Sequence, residues 1–307
     1  GSNLKPFIQA ISMMPFVTGF CCENITQPSL MVSIKMLFRK GSKVSILHVP
    51  HSGMETGIST LSRAVKKTTS LSYLNLEGNQ FDDIDSINSV LSTIKKDLYY
   101  LNLSDTGLSA EATTRLFITL QDFKKLQELS IAGCETNEAV FEQFNNYVTK
   151  LTASKKVNFN SIDVSNTENA NGFLDVINDH KLQLRSLKLR KINIGQETTG
   201  LLISIIKNSK TLRYLDLSET TISLENIANV INTIAKNNKL SHFHLILDSL
   251  NLTTGNLLPL FEAFLNGDLS KWSCLSFNSN NMKEPDLKNL IALLARMPNL
   301  HTLSIGD

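Results

Sequence analysis

The sequence has 307 residues, and its 30 lysines and arginines nearly balance its 28 acidic residues, which leaves a formal net charge of +2. This balance excludes a general attraction to nucleic acid or to an anionic membrane, although a local patch is still allowed. Hydrophobic residues at 42% and charged residues at 19% exclude intrinsic disorder. No apolar run approaches the roughly 18 residues of a membrane-spanning helix, so the sequence predicts a soluble protein.

The first residues of the chain resemble the end of a repeat. The sequence begins with Gly1 and Ser2 in place of an initiator methionine, and residues 4–15 echo residues 287–298 in their apolar spacing and final Met-Pro. We therefore expect the chain to begin inside the helix of one repeat and to be a segment cut from a longer protein. Three formal glycosylation motifs, at Asn24, Asn102 and Asn251, are discounted because no signal peptide precedes them.

The four cysteines, Cys21, Cys22, Cys134 and Cys274, form no CxxC pair. Their spacing fits neither a zinc site nor a dense disulfide framework. We expect small buried thiols in a reducing compartment, which indicates a cytoplasmic protein.

A repeated motif sets the predicted fold. Residues 71–79 read LSYLNLEGN, and the pattern LxxLxLxxN recurs from Leu98, Leu126 and Leu212, with weaker copies elsewhere. Eleven starts are visible, 25 to 33 residues apart, and the register of the first is open between Phe16 and Val17. Leucine-rich repeats run 20–29 residues, so the mean near 28 has room for a full helix after each strand. The weaker copies begin at Val17, Val44, Phe159, Leu184, Leu240, Trp272 and Leu300.

Side-chain direction explains how the repeats stack. Alternate residues of a strand point to opposite faces, so Leu74 and Leu76 point to the core while Tyr73 and Asn75 face outward. The following segments have helical spacing, with apolar stripes over 81–94 and 222–234. The sequence predicts a single α/β domain over residues 1–307. It is a leucine-rich-repeat solenoid, or horseshoe, of about eleven repeats, with a concave parallel sheet and convex helices.

Departures from the period predict local differences. The long intervals from Leu126 and Leu240 predict loop insertions of four or five residues, and the short one from Phe159 predicts a trimmed helix. The ninth position predicts a ladder of side chains that hydrogen-bond each turn, and we expect the turn at Ile192 to be built differently. The ladder consists of Asn79, Thr106, Cys134, Thr167, Thr220, Asp248 and Asn280.

Motifs for catalysis are absent from the sequence, which lacks a phosphate-binding loop, a dinucleotide fingerprint, HExxH and GxSxG. We predict no enzyme, no catalytic residue, no cofactor and no metal. His242 and His244 are assigned to outward strand positions on one face, with no obvious third ligand for a metal, and His48 and His51 are a weaker candidate.

The concave face is the candidate binding surface. Equivalent positions of adjacent parallel strands lie about 4.8 Å apart, so Asp163, Lys188 and Asp216 are predicted to form an acid–base–acid row. Cross-strand pairing that neutralises itself is one interpretation of this row. The other is a partner-binding face, because exposed tyrosine and arginine are common contact residues. Its candidate residues are Tyr73, Asn75, Tyr100, Asn102, Lys188, Arg190, Tyr214, His242 and His244.

One stretch, residues 181–191, is locally basic, with five lysines and arginines and no acidic residue among them. It is interpreted either as a solvated surface, since acidic residues flank it, or as a contact for lipid headgroups or an acidic protein.

A variant of the repeat, Leu-Ser-x-Thr, stands at residues 101–108, 162–167 and 215–222. With repeats near 28 residues, it resembles the ribonuclease-inhibitor-like class. From about residue 70 to 307 the order of repeats resembles the leucine-rich domain of the CARMIL family, which links actin capping protein and myosin-I. The resemblance implies a non-catalytic protein-interaction scaffold, with actin-regulatory protein partners, peripheral membrane association and a location at the cell cortex or leading edge. Dimerisation would use regions outside this sequence, and no capping-protein motif transfers to any residue here.

Other classes stay open. A Ran-type GTPase-activating protein has similar repeats, although no acidic tail is present. A ribonuclease-inhibitor-like binder would be richer in cysteine and strongly acidic. A tropomodulin-like protein carries fewer repeats, and a pathogen-sensing receptor needs a nucleotide-binding domain.

Overall fold

The computed structural model describes residues 4–25, 28–39, 42–54, 57–66, 71–81, 84–154, 159–252 and 257–306. It divides into two compact units, Gly1–Val157 and Asn158–Asp307. The single domain that the uninterrupted repeats suggest stays a prediction.

In the first unit, the described residues alternate helices and strands, and each strand pairs in parallel with the next along the chain. The elements are α1 (Lys5–Ser12), β1 (Gly19–Cys21), α2 (Pro28–Leu37), β2 (Ile46–His48), α3 (Ile58–Val65), β3 (Tyr73–Asn75), α4 (Ile84–Ile94), β4 (Tyr100–Asn102), α5 (Ala110–Leu120), β5 (Glu128–Ser130) and α6 (Glu138–Ser154).

The second unit repeats this plan, and its strands again pair in parallel in chain order. The elements are β6 (Ser161–Asp163), α7 (Asn171–Asp179), β7 (Ser186–Lys188), α8 (Gln196–Asn208), β8 (Tyr214–Asp216), α9 (Leu224–Lys236), β9 (Phe243–Ile246), α10 (Leu258–Leu265), a 3₁₀ turn (Leu269–Lys271), β10 (Trp272–Ser276), α11 (Glu284–Leu294) and β11 (Thr302–Ser304).

The core of each unit is built from the predicted positions. Leu71, Leu74 and Leu76 of one repeat are fully buried, as are their equivalents in the next. The apolar stripes of α4 and α9 are buried too, so the helical spacing is confirmed. Each such side chain contributes about 1.5–3 kcal/mol of transfer free energy, offset largely by chain entropy. The α/β leucine-rich-repeat solenoid predicted from the sequence is confirmed.

The turn after each strand contains a left-handed residue that the sequence pattern does not reveal. It occupies the eighth position of ten repeats, with φ between 48° and 69°. Only two of the ten are glycine, and the first repeat takes Val17 as its start because Gly19 pairs with Ile46. The residues are Asn24, His51, Gly78, Asp105, Gly133, Asn166, Lys191, Glu219, Ser249 and Ser279.

The predicted ladder at the ninth position is confirmed at most of its members. Thr106 Oγ1 donates to Leu103 O at 2.6 Å, and Thr167 and Thr220 make the same bond in their own turns. Asn79 Nδ2 donates to Val49 O at 3.0 Å and Leu76 O at 2.8 Å, which satisfies carbonyls of two repeats. These side chains therefore close each turn and tie adjacent turns together.

The turn at Ile192 is less unusual than its sequence suggests. Lys191 keeps the left-handed conformation of the eighth position, with φ 55°, and the Ile192 side chain is buried. Ile192 O still accepts from Thr221 N at 3.2 Å. The apolar side chain is therefore accommodated without changing the backbone of the turn.

The register predicted for β9 was wrong by two residues. Leu245 pairs with Leu215, and His244 pairs with Tyr214, so the repeat begins at His242 and not at Leu240. Asp248 consequently lies at the seventh position and is no member of the ladder. The apolar alternation of 243, 245 and 247 fits two registers that differ by two residues, because both keep the same face inward.

The irregular intervals are absorbed mostly by helices. The long interval after Leu126 contains the 17-residue α6, so its described extra residues lengthen a helix and not a loop. The short interval after Phe159 contains the nine-residue α7, which confirms the trimmed helix. The interval after β9 falls partly on residues 253–256, which lie outside the described residues; it ends in the 3₁₀ turn.

A buried lysine in that interval caps a helix. Lys271 is 3% exposed, and its Nζ donates to the O atoms of Ile234, Ala235 and Asn237 at 2.7–2.9 Å. These carbonyls belong to the end of α9, where the helix dipole is negative. Burial lowers the pKa of Lys271. The hydrogen bonds of the Lys271 ammonium group therefore link the irregular segment to the end of α9.

The buried amide of Asn79 offers a test of the ladder. Its Oδ1 accepts from Ser52 N at 2.9 Å and Met54 N at 3.1 Å, in addition to the bonds from Nδ2. We expect Asn79→Ala to lower the free energy of unfolding by about 2–4 kcal/mol, because buried backbone groups lose their partners. Urea unfolding followed by circular dichroism measures this loss. Asn145→Ala, at an exposed position of α6, is the control; equal effects of the two changes would contradict the ladder.

Candidate functional site

Two tyrosines stack on the outer face of the strands of the first unit. Tyr73 and Tyr100 occupy paired positions of β3 and β4, and their rings lie parallel with centroids 4.0 Å apart and an interplanar angle of 3°. Both side chains are half-buried. Burial, followed by the interaction with Tyr73, raises the pKa of the Tyr100 hydroxyl. Tyr100 is therefore uncharged at neutral pH, and the stacked pair forms an aromatic surface.

The two predicted asparagines beside this stack are mainly structural. Asn75 and Asn102 are 3% and 6% exposed. Asn75 Oδ1 accepts from Glu77 N at 2.9 Å, and Asn102 Oδ1 accepts from Ser104 N at 2.8 Å. Their amide nitrogens contact His48 Nδ1 at 3.2 Å and Glu77 Oε2 at 2.9 Å. They form a closed polar row and leave little surface for a partner.

The same bond recurs in the second unit with aspartate. Asp163 Oδ1 accepts from Ser165 N at 3.1 Å, and Asp216 Oδ1 accepts from Ser218 N at 3.0 Å. Where the fifth position is Asn or Asp, this side chain caps the strand end. Asn75 and Asn102 were predicted to bind a partner, although Asn and Asp occupy this position in four repeats and commonly cap strand ends.

The predicted charge row is confirmed on the second sheet. Asp163 pairs with Lys188, and Lys188 with Asp216, in the strand register. Lys188 Nζ lies 3.5 Å from Asp163 Oδ2, and Arg190 Nε lies 3.9 Å from Asp216 Oδ2. The row therefore follows the cross-strand pairing interpretation.

Glu219 neutralises much of the basic stretch. Its carboxylate accepts from Arg190 Nη2 at 2.6 Å and lies 3.5 Å from Lys191 Nζ. Burial opposes ionisation, but the Arg190 hydrogen bond and the Lys191 charge lower the pKa of Glu219 overall. Three of the five cations in residues 181–191 thus have acidic partners, which weakens the case for an open basic patch.

A cluster of rings lies further along the second sheet. His244 in β9 lies beside Tyr214, with ring centroids 6.3 Å apart, and beside His301, also at 6.3 Å. Burial first, then the charges of His301 and His242, lower the pKa of His244. His242 lies before the strand in a left-handed conformation with φ 52°, so the predicted same-strand pair does not form. His301 was missed because sequence reasoning did not align the last repeat with β9.

The described side chains do not converge on a chemical centre. Among them, no group of three or more His, Cys, Asp or Glu residues is placed to hold a metal ion. Cys22 and Cys134 are buried, whereas Cys21 is exposed and Cys274 half-buried, contrary to the expectation of four buried thiols. Burial raises the pKa of Cys134 to about 12 and also raises that of Cys274. These two thiols are therefore poor nucleophiles at neutral pH.

Across the residues that the structure covers, no helix is long and apolar enough to cross a membrane.

Comparison with solved structures identifies leucine-rich-repeat folds. The leucine-rich repeat-containing protein LegL7 from Legionella pneumophila matches with a TM-score of 0.60 and 19% identity, over 94% of this chain and 91% of LegL7. Rad7, in its complex with Elc1 in yeast, matches with a TM-score of 0.64 and 13% identity, over 97% of this chain and 72% of Rad7. At these identities the likeness defines the fold. No protein-family model and no curated protein sequence matches the chain.

The histidine cluster gives a titration that can be measured. We expect His301→Gln to raise the pKa of His244, because removing the neighbouring imidazolium removes a repulsion that disfavours protonation. Proton–carbon correlation spectra recorded across about pH 5 to 8 follow both states. His180→Gln, after α7 in the same unit, is the control. An unchanged or lower His244 pKa in His301→Gln would show that the repulsion is negligible.

Proposed function

We propose that this protein is a non-catalytic scaffold that binds protein partners through the outer faces of its sheets. The stacked pair of Tyr73 and Tyr100 carries the proposal. Exposed aromatic side chains are frequent energetic centres of protein interfaces. Because cross-strand stacking already fixes these rings, binding would cost little side-chain entropy.

Most of the other predicted residues contribute to the fold, so the tyrosine pair carries the proposal. Asn75, Asn102 and Asp216 are committed to strand-end turns, and Lys188 and Arg190 to ion pairs. Rad7 is crystallised in a complex with Elc1, so a protein of similar fold has a protein partner. By analogy with Rad7, we expect this protein to bind a protein partner as well.

The finer proposal is an actin-regulatory role at the cell cortex, as in the CARMIL family. It rests on the resemblance in the order of repeats. Its Leu-Ser-x-Thr motif also has a structural explanation, because Thr106, Thr167 and Thr220 close turns. The motif therefore supports the repeat class more than it supports a particular partner. Cytoplasmic location and peripheral membrane contact belong to the same proposal.

Affinity capture with quantitative mass spectrometry tests the scaffold. We expect Tyr73→Ala/Tyr100→Ala, or Lys188→Glu/Arg190→Glu, to reduce recovery of at least one partner about tenfold, as an interface centre worth about 1.4 kcal/mol would. Lys236→Glu/Lys239→Glu, at exposed positions near the end of α9, is the control with two matched charge reversals. Thermal unfolding checks that each variant is folded.

Partners that are retained equally by all of these variants would contradict binding through the sheet faces. Phosphatidylserine vesicles form a separate arm of the experiment. If Lys188→Glu/Arg190→Glu leaves vesicle binding unchanged, the basic stretch has no part in membrane contact.

A GTPase-activating protein of the Ran type is the alternative from another class. We expect no stimulation of GTP hydrolysis when this protein is added substoichiometrically to Ran, measured as phosphate release. Hydrolysis accelerated above the intrinsic rate would replace the scaffold proposal with a catalytic one.

A further inference from the structure

The outer face of the first sheet has charges of one sign. The first sheet face is the outer face of the strand-and-turn segments of the first five repeats. These segments are residues 17–24, 44–51, 71–78, 98–105 and 126–133. These segments contain four acidic residues and no lysine or arginine. The acidic residues are Glu23, Glu77, Asp105 and Glu128.

Three of these carboxylates have no cationic partner among the described residues. The ion pairs of the first unit join Lys95 to Asp122, Lys125 to Asp97 and Arg115 to Asp85. None of the pairs reaches Glu23, Glu77 or Asp105 in the covered part of the chain. The second sheet instead carries Lys188, Arg190 and Lys191 against its acids. Glu77 accepts a hydrogen bond from Asn102, but no described cation neutralises these three carboxylates, so the first sheet face retains a local negative charge.

A pocket at one end of this face has both an apolar and an acidic lining. It encloses about 360 Å³ and is lined by Cys21, Cys22, Glu23, Ile46, His48 and Tyr73. Gly19 pairs with Ile46, and a Cβ added at Gly19 would lie 3.3 Å from Ile46 Cβ. Ile46 is 37% exposed, which is unusual for isoleucine in a strand, and Glu23 is exposed as well.

This lining matches a long side chain with a charged end. The methylene stem of lysine or arginine can cover Ile46 and Tyr73 while its cationic head reaches Glu23. The aromatic stack lies next to the pocket, since Ile46 pairs with Tyr73 and Tyr73 with Tyr100. Tyrosine rings attract cations through their π faces, and Tyr100 pairs with Glu128 on the other side. The paired row that starts at Ile46 therefore continues through the two tyrosines and ends at the carboxylate of Glu128.

We propose that the first sheet face binds an extended segment of a partner protein that carries arginine or lysine side chains, one of them seated in this pocket. The inference rests on the proposed scaffold function and specifies its partner. The sign of the charge disfavours nucleic acid and anionic lipid, which would be repelled. A peptide supplies both the apolar stems and the cationic heads that the pocket and the carboxylates require.

Fluorescence anisotropy with a labelled peptide of alternating arginine and serine tests the proposal. The corresponding glutamate–serine peptide is the negative probe. We expect Glu23→Gln and Glu77→Gln each to weaken binding of the arginine peptide about two- to fivefold, the range for a partly exposed ion pair. The amide oxygen introduced by Glu77→Gln would still accept the hydrogen bond from Asn102, so the fold is preserved. Raising the salt concentration should weaken binding further.

Two further variants separate the pocket from charge in general. Ile46→Ser removes apolar surface from the pocket lining without altering any charge, and we expect it to weaken arginine-peptide binding about tenfold. Glu142→Gln removes one carboxylate from an exposed position of α6 in the same unit, and we expect it to leave binding unchanged. Thermal unfolding verifies that each variant is folded.

The proposal is overturned if the arginine peptide fails to bind, or if Glu142→Gln weakens binding as much as Glu23→Gln. It is also overturned if spermine binds as tightly as the peptide, because a bare polycation would then suffice. The scaffold proposal survives any of these results if partner capture still depends on Tyr73 and Tyr100. Peptide binding without any face-dependent partner would instead count against the scaffold proposal alone.

Discussion

Most strands of this protein contain three residues, and such a strand cannot hold its place by its own ladder bonds. Each depends on a neighbour, on the leucines beneath it and on the turn that ends it. The hydrogen bonds of Asn79 span two repeats, so the turns connect neighbours as directly as the strands do. This dependence on the next repeat explains why the core positions repeat so regularly along the chain.

The fold could be predicted because its information is periodic. Leu71, Leu74 and Leu76 are read by spacing alone, and their burial follows from strand geometry. The predictions failed where the repeat pattern fits two registers or where a segment has no repeat pattern. Phe243, Leu245 and Leu247 satisfy two registers, so spacing could not place His242. The contact of Lys271 with three carbonyls at the end of α9 depends on an irregular segment, and no period describes that segment.

The candidate site was predicted less well, because a side chain at an outward-facing strand position is not always accessible to a partner. Asn75 and Asn102 point from the correct face but are consumed by bonds to the following backbone. Tyr73 and Tyr100 were correctly placed side by side, since their register follows from the repeat. The acidic residues around the two tyrosines, and the lack of lysine and arginine in the same segments, can be read from the sequence alone. This pattern was overlooked because the net charge of the whole chain does not reveal which face its charged side chains occupy.

The left-handed turn residues have a consequence for protein engineering. A non-glycine residue held in this conformation costs about 1–2 kcal/mol, and eight of the ten turns carry one. Replacing Ser249 or Ser279 with glycine would remove that strain, and the net gain is what remains after the roughly 0.5–1 kcal/mol by which glycine favours the unfolded chain. Gly78 permits no reverse exchange, since an added Cβ would collide with the ring of His51. The repeat thus retains unused stability that its natural sequence does not exploit.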